Sequence, residues 1–484
     1  MNKLIESNIN LPIINLISKV AIEMDVKVYL VGGFVRDILL FRKSKDIDVL
    51  VVGDGIEFAK IISKKTNENI QVFKNFGTAM IKLKEYEIEF VGARKESYNS
   101  SSRNPLVEEG TLEEDLSRRD FTINSLAISL NEENYGDIID LFNGIDDLKK
   151  KLIKTPLDPQ VTFYDDPLRM FRAARFASQL NFNIDKNNIN FIKKEKNRID
   201  IISKERINDE LNKILMSKNP SIGFKALNET GLLKIILPEI YDLHGIDEIE
   251  GKKHKDNFYH TLKVVDNISK NTNKLWLRWV ALLHDIGKAK TKKFHKTIGW
   301  TFHGHEYVGS KMVERIFKRL KLPLNEKLTY VKKLVLLSSR PIVLSSENIT
   351  DSAVRRLIYD AGENIDDLLT LCEADITTKN EYLQKKYLNN FKIVREKIKI
   401  VDERDQIRNF QPPVTGQEIM NYFDIRPCKE IGIIKDFIKE SILNGDIPNS
   451  HTEAKELMIK KGKILGLKLN AVSYTHLTLP TNGE

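Results

Sequence analysis

The sequence predicts an α+β fold, in which a mixed β-sheet with helices occupies the N-terminal part and helices make up the rest. Short runs with period-two alternation of polar and apolar residues occur early in the chain. Later segments follow helical spacing, and from Asn380 onward the chain is helical and Lys-rich. The 484 residues are 41% hydrophobic and 30% charged, which is typical of a globular protein with several domains.

Composition limits the classes of function. No uninterrupted apolar run reaches membrane-spanning length, and the N-terminal stretch MNKLIESNINLPIINLISKV does not resemble a secretion signal. The only two cysteines, Cys372 and Cys428, lack metal-type spacing and suit a reducing compartment, so we expect a cytoplasmic protein without a membrane partner. The net charge of +9 fits either the Lys-rich composition that an AT-rich genome produces or a partner with a phosphate backbone, and charge alone does not decide.

The first motif joins a strand to a helix. VKVYLVGGFVRDILLF predicts a strand over Val28–Val31, a Gly-Gly turn and the start of a helix. Gly32 and Gly33 would let the backbone approach a ligand closely, and the free N–H groups of the helix N-terminus suit a phosphate. Arg36 lies in the first turn. A double glycine by itself more often marks only a tight turn.

Two carboxylates open the next strand. In KDIDVLVV, Asp46 and Asp48 share one face of the strand, while Ile47, Val49 and Val51 share the other. Like charges this close repel each other unless they are solvated or hold a cation. A carboxylate pair on one face can hold two divalent cations, which is the arrangement used for in-line phosphoryl transfer. A solvated strand end is the alternative.

The order of these motifs resembles the nucleotidyltransferase superfamily, in its poly(A) polymerase and CCA-adding branch. GG-x-V-R-D followed by DxD is similar to the first motif of that family. The later strand YEIEFVGARKESY has the form that supplies the third acid, Glu89, although Glu85 and Glu87 share its period-two face. The resemblance implies three catalytic acids, the first two of which would bind Mg²⁺: Asp46, Asp48 and Glu89.

Further motifs follow in family order up to about residue 215. EEDLSRRDFTINSLAI, DIIDLFNGIDDLKKKLI, YDDPLRMFRAARFASQLNF and SKERINDELNKIL resemble the second to fifth motifs of class II tRNA nucleotidyltransferases. The third motif has Phe142-Asn143-Gly144 in place of the commoner Gly-Gly pair, and the fourth has Asp165 where Glu is usual. The resemblance implies these nucleotide-binding residues: Gly32, Gly33, Arg36, Arg118, Arg119, Asp120, Asn124, Asp166, Arg169, Arg172 and Arg175.

The fourth motif suggests how a base is selected. If DDPLRMFRAARF is one helix with Pro167 near its first turn, Asp166, Arg169 and Arg172 lie on one face. A carboxylate can accept from the exocyclic amine of cytosine or adenine, and a guanidinium can donate to the neighbouring ring acceptor. The resemblance assigns this reading of CTP and ATP to Asp166 and Arg169, and triphosphate or ribose contacts to Arg172 and Arg175. A salt-bridged helix face is the alternative.

Histidines and aspartates form a second group. Seven of the nine histidines lie between His244 and His305. Their arrangement resembles the HD superfamily of metal-dependent phosphohydrolases, which would place a divalent metal of unspecified identity here. The ligands implied are His260, His284, Asp285 and Asp375, with His303 and His305 as additional candidates. Structural histidines are the alternative, and the motif leaves open whether the domain hydrolyses phosphate esters. In related tRNA enzymes such a domain is linked to 2′,3′-cyclic phosphate or phosphatase activity.

The motifs divide the chain into four domains and a short terminal segment. We predict a nucleotidyltransferase head at 1–150, a helical neck for nucleotide selection and RNA binding at 151–245, an HD domain at 246–385, a helical tail that docks tRNA at 386–470, and a read-through or cloning scar at 471–484.

The resemblance implies template-independent addition of C, C and A to tRNA 3′ ends. Poly(A) polymerase, or addition of only A or only C, is a close alternative, because these enzymes share all five motifs. The loop NSSSRNPLVEEGTLEEDL looks complete, which favours full CCA addition. An HD phosphohydrolase whose head only binds RNA is an alternative of a different class. The sequence does not indicate the oligomeric state.

Overall fold

The fold is described from a computed structural model, over residues 2–74, 77–97, 106–344, 350–408 and 410–468. The segment 471–484 and the first part of the loop that favours CCA addition, residues 99–105, lie outside the described residues. The chain divides into two compact units, Met1–Tyr241 and Asp242–Glu484. The predicted boundary at residue 245 lies close to this division, and the predicted boundaries inside each unit stay predictions.

A seven-stranded mixed sheet lies at the centre of the first unit. The strands of this unit are β1 (Val28–Val31), β2 (Asp46–Val51), β3 (Ile70–Phe73), β4 (Thr78–Lys82), β5 (Glu87–Gly92), β6 (Arg94–Ser97), β7 (Leu106–Glu109), β8 (Leu126–Ser129), β9 (Ile138–Asp140), β10 (Leu152–Ile153) and β11 (Asn183–Ile184). The sheet order is β3-β4-β5-β2-β1-β8-β9, with β2 and β5 parallel and the other neighbours antiparallel. The predicted N-terminal mixed sheet is thereby confirmed.

The register of the sheet places the acidic residues. Asp48 lies opposite Val31 of β1 and beside Glu89 of β5, while Asp46 lies beside Glu87. The two residues that alternate with these aspartates, at positions 47 and 49, are fully buried. The strand therefore turns its carboxylates to the face opposite its apolar side chains, as the alternation predicts.

Helices cover the sheet and form most of the rest of the first unit. They are α1 (Asn2–Ile9), α2 (Pro12–Glu23), α3 (Gly32–Leu39), α4 (Gly55–Thr66), α5 (Leu112–Ser117), α6 (Gly144–Lys150), α7 (Pro159–Asp165), α8 (Leu168–Leu180), α9 (Lys186–Glu195), α10 (Lys204–Leu215), α11 (Pro220–Thr230), α12 (Leu232–Ile236) and α13 (Pro238–Tyr241). A capping box of Thr111 and Glu114 starts α5 and satisfies the backbone N–H groups of these two residues.

The turn from β1 into α3 needs a glycine. Gly32 has a φ of +71°, a conformation that L side chains rarely adopt. A Cβ at Gly32 would lie 2.9 Å from Arg119 Nη1 and 3.0 Å from Asp48 Oδ2. The missing side chain therefore lets the backbone approach both charged groups.

The fourth motif is not one continuous helix. Asp166 is extended, with φ −135° and ψ 99°, and Pro167 caps α8. The expected sharing of one helical face by Asp166 and Arg169 therefore does not apply, because the chain changes direction between α7 and α8. Helix α8 packs against α10 and α11, and it is buried along nearly its whole length, including Arg169 and Arg175.

The second unit is helical, with two short hairpins. Its helices are α14 (Asn257–Ser269), α15 (Leu275–Leu283), α16 (Lys288–Thr291), α17 (His305–Leu320), α18 (Glu326–Leu337), α19 (Arg340–Leu344), α20 (Asp351–Ala361), α21 (Ile365–Ala374), α22 (Glu381–Asp405), α23 (Gly416–Phe423), α24 (Lys429–Asn444) and α25 (His451–Ile464). The hairpins are β12 (Glu248–Ile249) with β13 (Lys252–Lys253), and β14 (Lys293–His295) with β15 (Gly299–Thr301). They interrupt a region expected to be all helical. Across the described ranges, no helix is long and apolar enough to cross a membrane.

We expect Leu30→Ala to lower the free energy of unfolding by about 2–5 kcal/mol, because it leaves a cavity beneath the central strand β1. Leu30 is 0% exposed. The control Ile22→Ala removes a side chain that is 51% exposed and should cost less than about 1 kcal/mol. Urea titrations followed by circular dichroism measure both variants. Equal losses in the two variants would contradict the placement of β1 at the centre of the core.

Candidate active site and candidate metal centre

A cavity of about 610 Å³ opens in the first unit beside β1, β2 and β5. Every residue predicted to act in the head lines it, except Asp46, which is exposed at the start of β2. Eight arginines and four acidic residues line the cavity. This excess of positive charge suits a ligand with several phosphates, because guanidinium groups form strong paired hydrogen bonds with phosphate oxygens.

The carboxylates at one wall of the cavity repel one another. Burial raises the pKa of Asp48, and the charges of Glu89 and Asp46 raise it further, against the opposing effects of Arg119 and the Gly33 N–H. A carboxylate in such surroundings gains from a cation. The donor set fits Mg²⁺, which binds through one or two carboxylates and completes its coordination with substrate phosphates and water.

A buried acid fixes two of the arginines. Asp115 is 0% exposed, and it accepts from Arg118 Nε at 3.0 Å and from Arg119 Nη2 at 3.0 Å. Burial alone would raise the pKa of Asp115, but the two guanidinium groups lower it below its ordinary value. Sequence reasoning missed Asp115, although its i,i+3 and i,i+4 spacing to the arginines is a usable signal.

Asp120 connects the sheet side of the cavity to α8. Its Oδ2 accepts from Arg172 Nε at 2.7 Å, and its Oδ1 accepts from Asn124 Nδ2 at 2.8 Å and from the Phe121 N–H at 2.9 Å. Arg36 Nη1 in turn donates to Asn124 Oδ1 at 2.7 Å. Because both oxygens of Asp120 have partners inside the protein, the geometry gives this residue a positioning role and leaves ligand contact to the arginines.

Three guanidinium groups surround one aromatic ring. The Cζ atoms of Arg175, Arg36 and Arg172 lie 4.1, 5.3 and 5.5 Å from the centroid of Phe176. Burial lowers the pKa of Arg175 to about 10, and the neighbouring Arg172 adds to this effect, although Glu210 Oε2 lies 2.7 Å from Arg175 Nε. These cations destabilise one another, so an anionic ligand would relieve their repulsion.

Asp166 and Arg169, which are predicted to read the base, are held by different partners. Asp166 Oδ2 lies 3.0 Å from Arg206 Nη2, while its Oδ1 accepts from the Leu168 N–H at 3.1 Å. Arg169 donates to two backbone carbonyls, of Thr162 at 3.2 Å and of Arg118 at 2.6 Å. The guanidinium group beside Asp166 is therefore that of Arg206, which lies on α10. Arg206 was not among the predicted nucleotide-binding residues, because nothing local in SKERINDELNKIL indicates that its arginine reaches this cavity.

The second unit brings together a histidine–aspartate cluster. Within the described part of the chain, one set of three potential metal ligands has its ligand atoms all within 4.8 Å of one another, namely His260, His284 and Asp285. Asp375 Oδ1 lies 2.9 Å from His260 Nε2 and 3.5 Å from His284 Nε2. His305 Nε2 lies 3.5 Å from Asp285 Oδ1. Residues from α14, from the end of α15 and from the ends of α17 and α21 thus meet at one point.

Backbone carbonyls orient two of the rings. The Nδ1 atom of His284 lies 2.8 Å from the Ala281 carbonyl, and that of His305 lies 2.9 Å from the Phe302 carbonyl. A carbonyl only accepts, so each Nδ1 donates and each Nε2 faces the carboxylates, as metal-binding histidines do. His303 is exposed, whereas His305 Nε2 lies 3.5 Å from Asp285 Oδ1, so the structure places the second histidine of HGHE, and not the first, at the cluster.

The cluster has the features of a cation site. His284 Nε2 and Asp375 Oδ1 are buried and make no hydrogen bond of acceptable geometry. Burial acts to lower the pKa of His284, but Asp285 and Asp375 raise it to about 9. Lys288 Nζ lies 2.7 Å from Asp285 Oδ2. The carboxylates thus attract positive charge, and the mixed imidazole and carboxylate donors fit a divalent transition metal or Mg²⁺.

Comparison with known families matches three consecutive parts of the chain. Residues 28–154 match the poly A polymerase head domain, residues 181–243 the probable RNA- and SrmB-binding site of polymerase A, and residues 257–379 the HD domain. The chain is also 32% identical over 385 residues to the multifunctional CCA protein of Mannheimia succiniciproducens, covering 75% of this chain and 86% of that protein.

The chain belongs to the tRNA nucleotidyltransferase family. This confirms the resemblance seen in the motifs. Another family member, the A-adding tRNA nucleotidyltransferase of Aquifex aeolicus, is 33% identical over 379 residues, which cover 71% of this chain. The match covers only 44% of that relative, and a match to the Geobacter sulfurreducens A-adding enzyme covers 27% of that protein.

Solved structures of the tRNA nucleotidyltransferase family share the fold. One is a tRNA nucleotidyltransferase complexed with a primer tRNA and an incoming ATP analog, which is 26% identical, with a TM-score of 0.57 over 79% of this chain and 99% of that one. Another is a CCA-adding enzyme in complex with ATP, with a TM-score of 0.63 over 96% of this chain and 98% of that one. At 23% identity the second supports the fold alone.

We expect the effect of Asp120→Asn to depend on pH. Arg172 and Asn124 hold the pKa of the buried Asp120 at about 2, below the ordinary 3.8. The ionised carboxylate therefore stabilises the fold above about pH 4, and this stabilisation is lost as the pH falls toward 2. Between pH 5 and the lowest pH at which the protein stays folded, the difference in unfolding free energy between wild type and variant should shrink, by up to about 2 kcal/mol. Urea titrations at each pH measure it, and a constant difference would rule out this ion pair.

Proposed function

We propose that this protein adds C, C and A to the 3′ end of tRNA without a template, using CTP and ATP. The observation that carries the proposal is the single cavity in which Asp48 and Glu89 lie on adjacent strands across from a set of arginines. Carboxylates for a metal and cations for a triphosphate are what nucleotidyl transfer requires. The extensive match to a multifunctional CCA protein supports the choice of product.

Residues around the Gly-Gly turn would bind the triphosphate. The start of α3 offers backbone N–H groups, and Arg36, Arg118 and Arg119 supply positive charge close by. Asp46 and Asp48 would hold Mg²⁺, with Glu89 as the third catalytic acid. When bound, the metal would activate the RNA 3′-hydroxyl and stabilise the departing pyrophosphate. Without these side chains, only water would stabilise the negative charges of the phosphates.

Asp166 and Arg169 would select the base at the start of α8. The Asp166 carboxylate accepts from the exocyclic amine that cytosine and adenine share, and Arg169 donates to the adjacent ring acceptor. Uracil or guanine would leave buried polar groups without partners, which disfavours them. The ion pair with Arg206 keeps the Asp166 carboxylate in the cavity before the nucleotide arrives. Arg172 and Arg175 would contact ribose or phosphate.

The other products use the same chemistry. Addition of A alone is the activity named for the Aquifex and Geobacter relatives, and addition of C alone or of a poly(A) tract would use the same cavity. The basic helices of the predicted tail, residues 386–470, would dock tRNA by its shape and backbone. Because tRNA and nucleotides are the substrates, and Cys372 and Cys428 are free, we place the enzyme in the cytoplasm.

We expect purified protein with Mg²⁺ to extend tRNA lacking its 3′ end by C, C and A and then stop. The assay supplies each labelled NTP separately and together, and products are sized on a gel. Asp48→Asn should lower the rate about a thousandfold, because it removes a carboxylate from the metal-binding wall. Glu87→Gln is the matched control, since Glu87 pairs with Lys82 outside the cavity and its loss should leave the rate unchanged.

The products decide among the alternatives. A long A ladder without use of CTP would indicate a poly(A) polymerase, and single A addition to a tRNA that ends in CC would indicate an A-adding enzyme. If the tRNA is extended with none of the NTPs, the polymerase proposal is wrong and the HD domain remains as the active part. An equal loss of rate in Asp48→Asn and Glu87→Gln would remove the special role of Asp48.

A second activity is favoured by the histidine–aspartate cluster. We propose that the second unit is a metal-dependent phosphohydrolase, because its ligands are already close together and two of their buried atoms, His284 Nε2 and Asp375 Oδ1, make no hydrogen bond. His260, His284, Asp285 and Asp375 would hold a divalent cation, with His305 at its edge. When bound, the cation supplies a water nucleophile at neutral pH. The carbonyls behind His284 and His305 keep the rings aimed at the site.

We expect His284→Ala to abolish hydrolysis of adenosine 2′,3′-cyclic monophosphate and to remove one bound divalent cation per chain, while nucleotide addition continues. Metal content by mass spectrometry and phosphate-ester hydrolysis with Mg²⁺, Mn²⁺, Co²⁺ or Ni²⁺ measure the two effects. The matched control is His303→Ala, which changes an exposed histidine outside the three-ligand set. If His303→Ala loses the metal as completely as His284→Ala, the ligand set proposed here is wrong.

A further inference from the structure

Two hairpins with a net positive charge lie beside the histidine–aspartate cluster, with seven lysines and three acidic residues between them. We call them the paired hairpins: residues 247–254, which contain β12 and β13, and residues 288–301, which contain α16, β14 and β15. Lys252 Nζ donates to the Lys296 carbonyl at 2.7 Å, and Trp300 Nε1 donates to the Lys252 carbonyl at 3.0 Å. These bonds join the two hairpins into one surface.

One side of the paired hairpins is aromatic and packed. Trp300 lies against Phe294 at 5.3 Å and against His254 at 5.1 Å between ring centroids. The His254 side chain is only 5% exposed, and its Nε2 accepts from the Asp247 N–H at 3.1 Å. This packing holds the short strands in place, although two-stranded hairpins are marginal by themselves.

The other side of the surface is positively charged. Residues 286–296 contain five lysines and no acidic residue. Lys290, Lys293 and Lys296 are exposed, as is Lys255 just after β13. None of these four makes an ion pair with any described residue, whereas Lys292 pairs with Asp247. Their charge is therefore available to a ligand.

The paired hairpins connect directly to the cluster. Helix α16 begins with Lys288, whose Nζ contacts Asp285, and the strand β15 leads into Phe302. The Phe302 carbonyl orients His305, and it also lies 3.3 Å from Thr291 Oγ1 at the end of α16. A ligand lying along the lysines would thus end close to Asp285 and His305.

We propose that the paired hairpins bind the sugar–phosphate backbone of an RNA strand and thereby present its 3′-terminal phosphate to the histidine–aspartate cluster. The proposal rests on the phosphohydrolase function proposed above and gives that site a substrate class, polynucleotide ends rather than free nucleotides. The exposed lysines are spaced along a strand and a short helix, so they can contact successive phosphates of an RNA strand. A mononucleotide bound at the cluster would reach none of these lysines.

The chemistry at such an end is a hydrolysis. For a 2′,3′-cyclic phosphate, the oxygen of a water molecule forms a bond to phosphorus, and the bond from phosphorus to one ribose oxygen breaks. That ribose oxygen takes up a proton from the water, leaving a phosphomonoester. The paired hairpins take no part in this step, so their loss should affect binding of the strand and leave the reaction on a small substrate intact.

The test compares two substrates and two triple variants. The substrates are a ten-nucleotide RNA that ends in a 2′,3′-cyclic phosphate and adenosine 2′,3′-cyclic monophosphate. In the full chain, Lys290→Gln/Lys293→Gln/Lys296→Gln should lower kcat/KM for the RNA about tenfold or more and leave the mononucleotide unchanged. The slope of log(kcat/KM) against log[KCl] should become shallower by about two, because each of the three lost phosphate contacts with a single strand contributes roughly 0.7.

A matched control carries the same change of charge elsewhere. Lys318→Gln/Lys321→Gln/Lys327→Gln alters the far end of α17 and the start of α18. Lys318 lies about 20 Å along α17 from His305, at 1.5 Å per residue. This variant should hydrolyse both substrates as wild type does. A loss for the RNA equal to that of the hairpin variant would attribute the effect to net charge and overturn the proposal.

A second readout does not need hydrolysis. An RNA with 4-thiouridine next to a 3′-phosphate is crosslinked to the metal-free protein by light, and the crosslinked peptides are identified by mass spectrometry. Crosslinks to residues 247–254 and 288–301 are expected, and their absence would overturn the proposal. If wild type crosslinks there but hydrolyses neither substrate, the docking surface stands and the phosphohydrolase function fails. If polyglutamate displaces the RNA but unlabelled RNA does not, the surface binds an acidic protein and the proposal is wrong.

Discussion

The buried arginines of α8 are the constraint on which the first unit depends. A helix that is covered along nearly its whole length cannot leave a guanidinium group without partners, because an unpaired buried charge is costly. Arg175 therefore requires Glu210, and Arg169 requires two backbone carbonyls, while Arg172, whose side chain is 33% exposed, pairs with Asp120. These partners come from different segments, so pairing the arginines also fixes α7, α10 and the chain between α5 and β8 around the cavity.

The same constraint explains why the cavity is suited to a polyphosphate. The acidic residues that pair with the arginines of α8 lie beside the helix, and their carboxylates are already engaged by contacts within the protein. Arg36 and the two arginines held by Asp115 add further charge, which leaves the cavity positive. Against this charge lie the carboxylates of Asp48 and Glu89 at one wall, while that of Asp166 pairs with Arg206. Repulsion between cations on one side and between anions on the other is relieved when a metal–triphosphate complex binds between them.

The two candidate metal sites differ in how far they are assembled. In the head, the acids stand on adjacent strands of an open sheet face, and a substrate would complete the coordination, which is how Mg²⁺ is usually held. In the second unit, four side chains already converge, and backbone carbonyls fix two of the rings. Imidazole ligands need such orientation because only one ring nitrogen faces the metal. The first arrangement suits a metal that arrives with nucleotide, the second a resident ion.

Local pattern by itself determined the strand–turn–helix at Gly32, the alternation of Asp46 and Asp48, and the grouping of histidines, because each depends on spacing within a few residues. It also determined the α+β fold class. Tertiary structure alone decided that Arg206 reaches the cavity, that Glu210 pairs with Arg175, that the chain turns at Asp166, and that His305 joins the cluster while His303 does not. These outcomes depend on which distant segments pack together, and packing follows from burial over the whole chain, which no local period encodes.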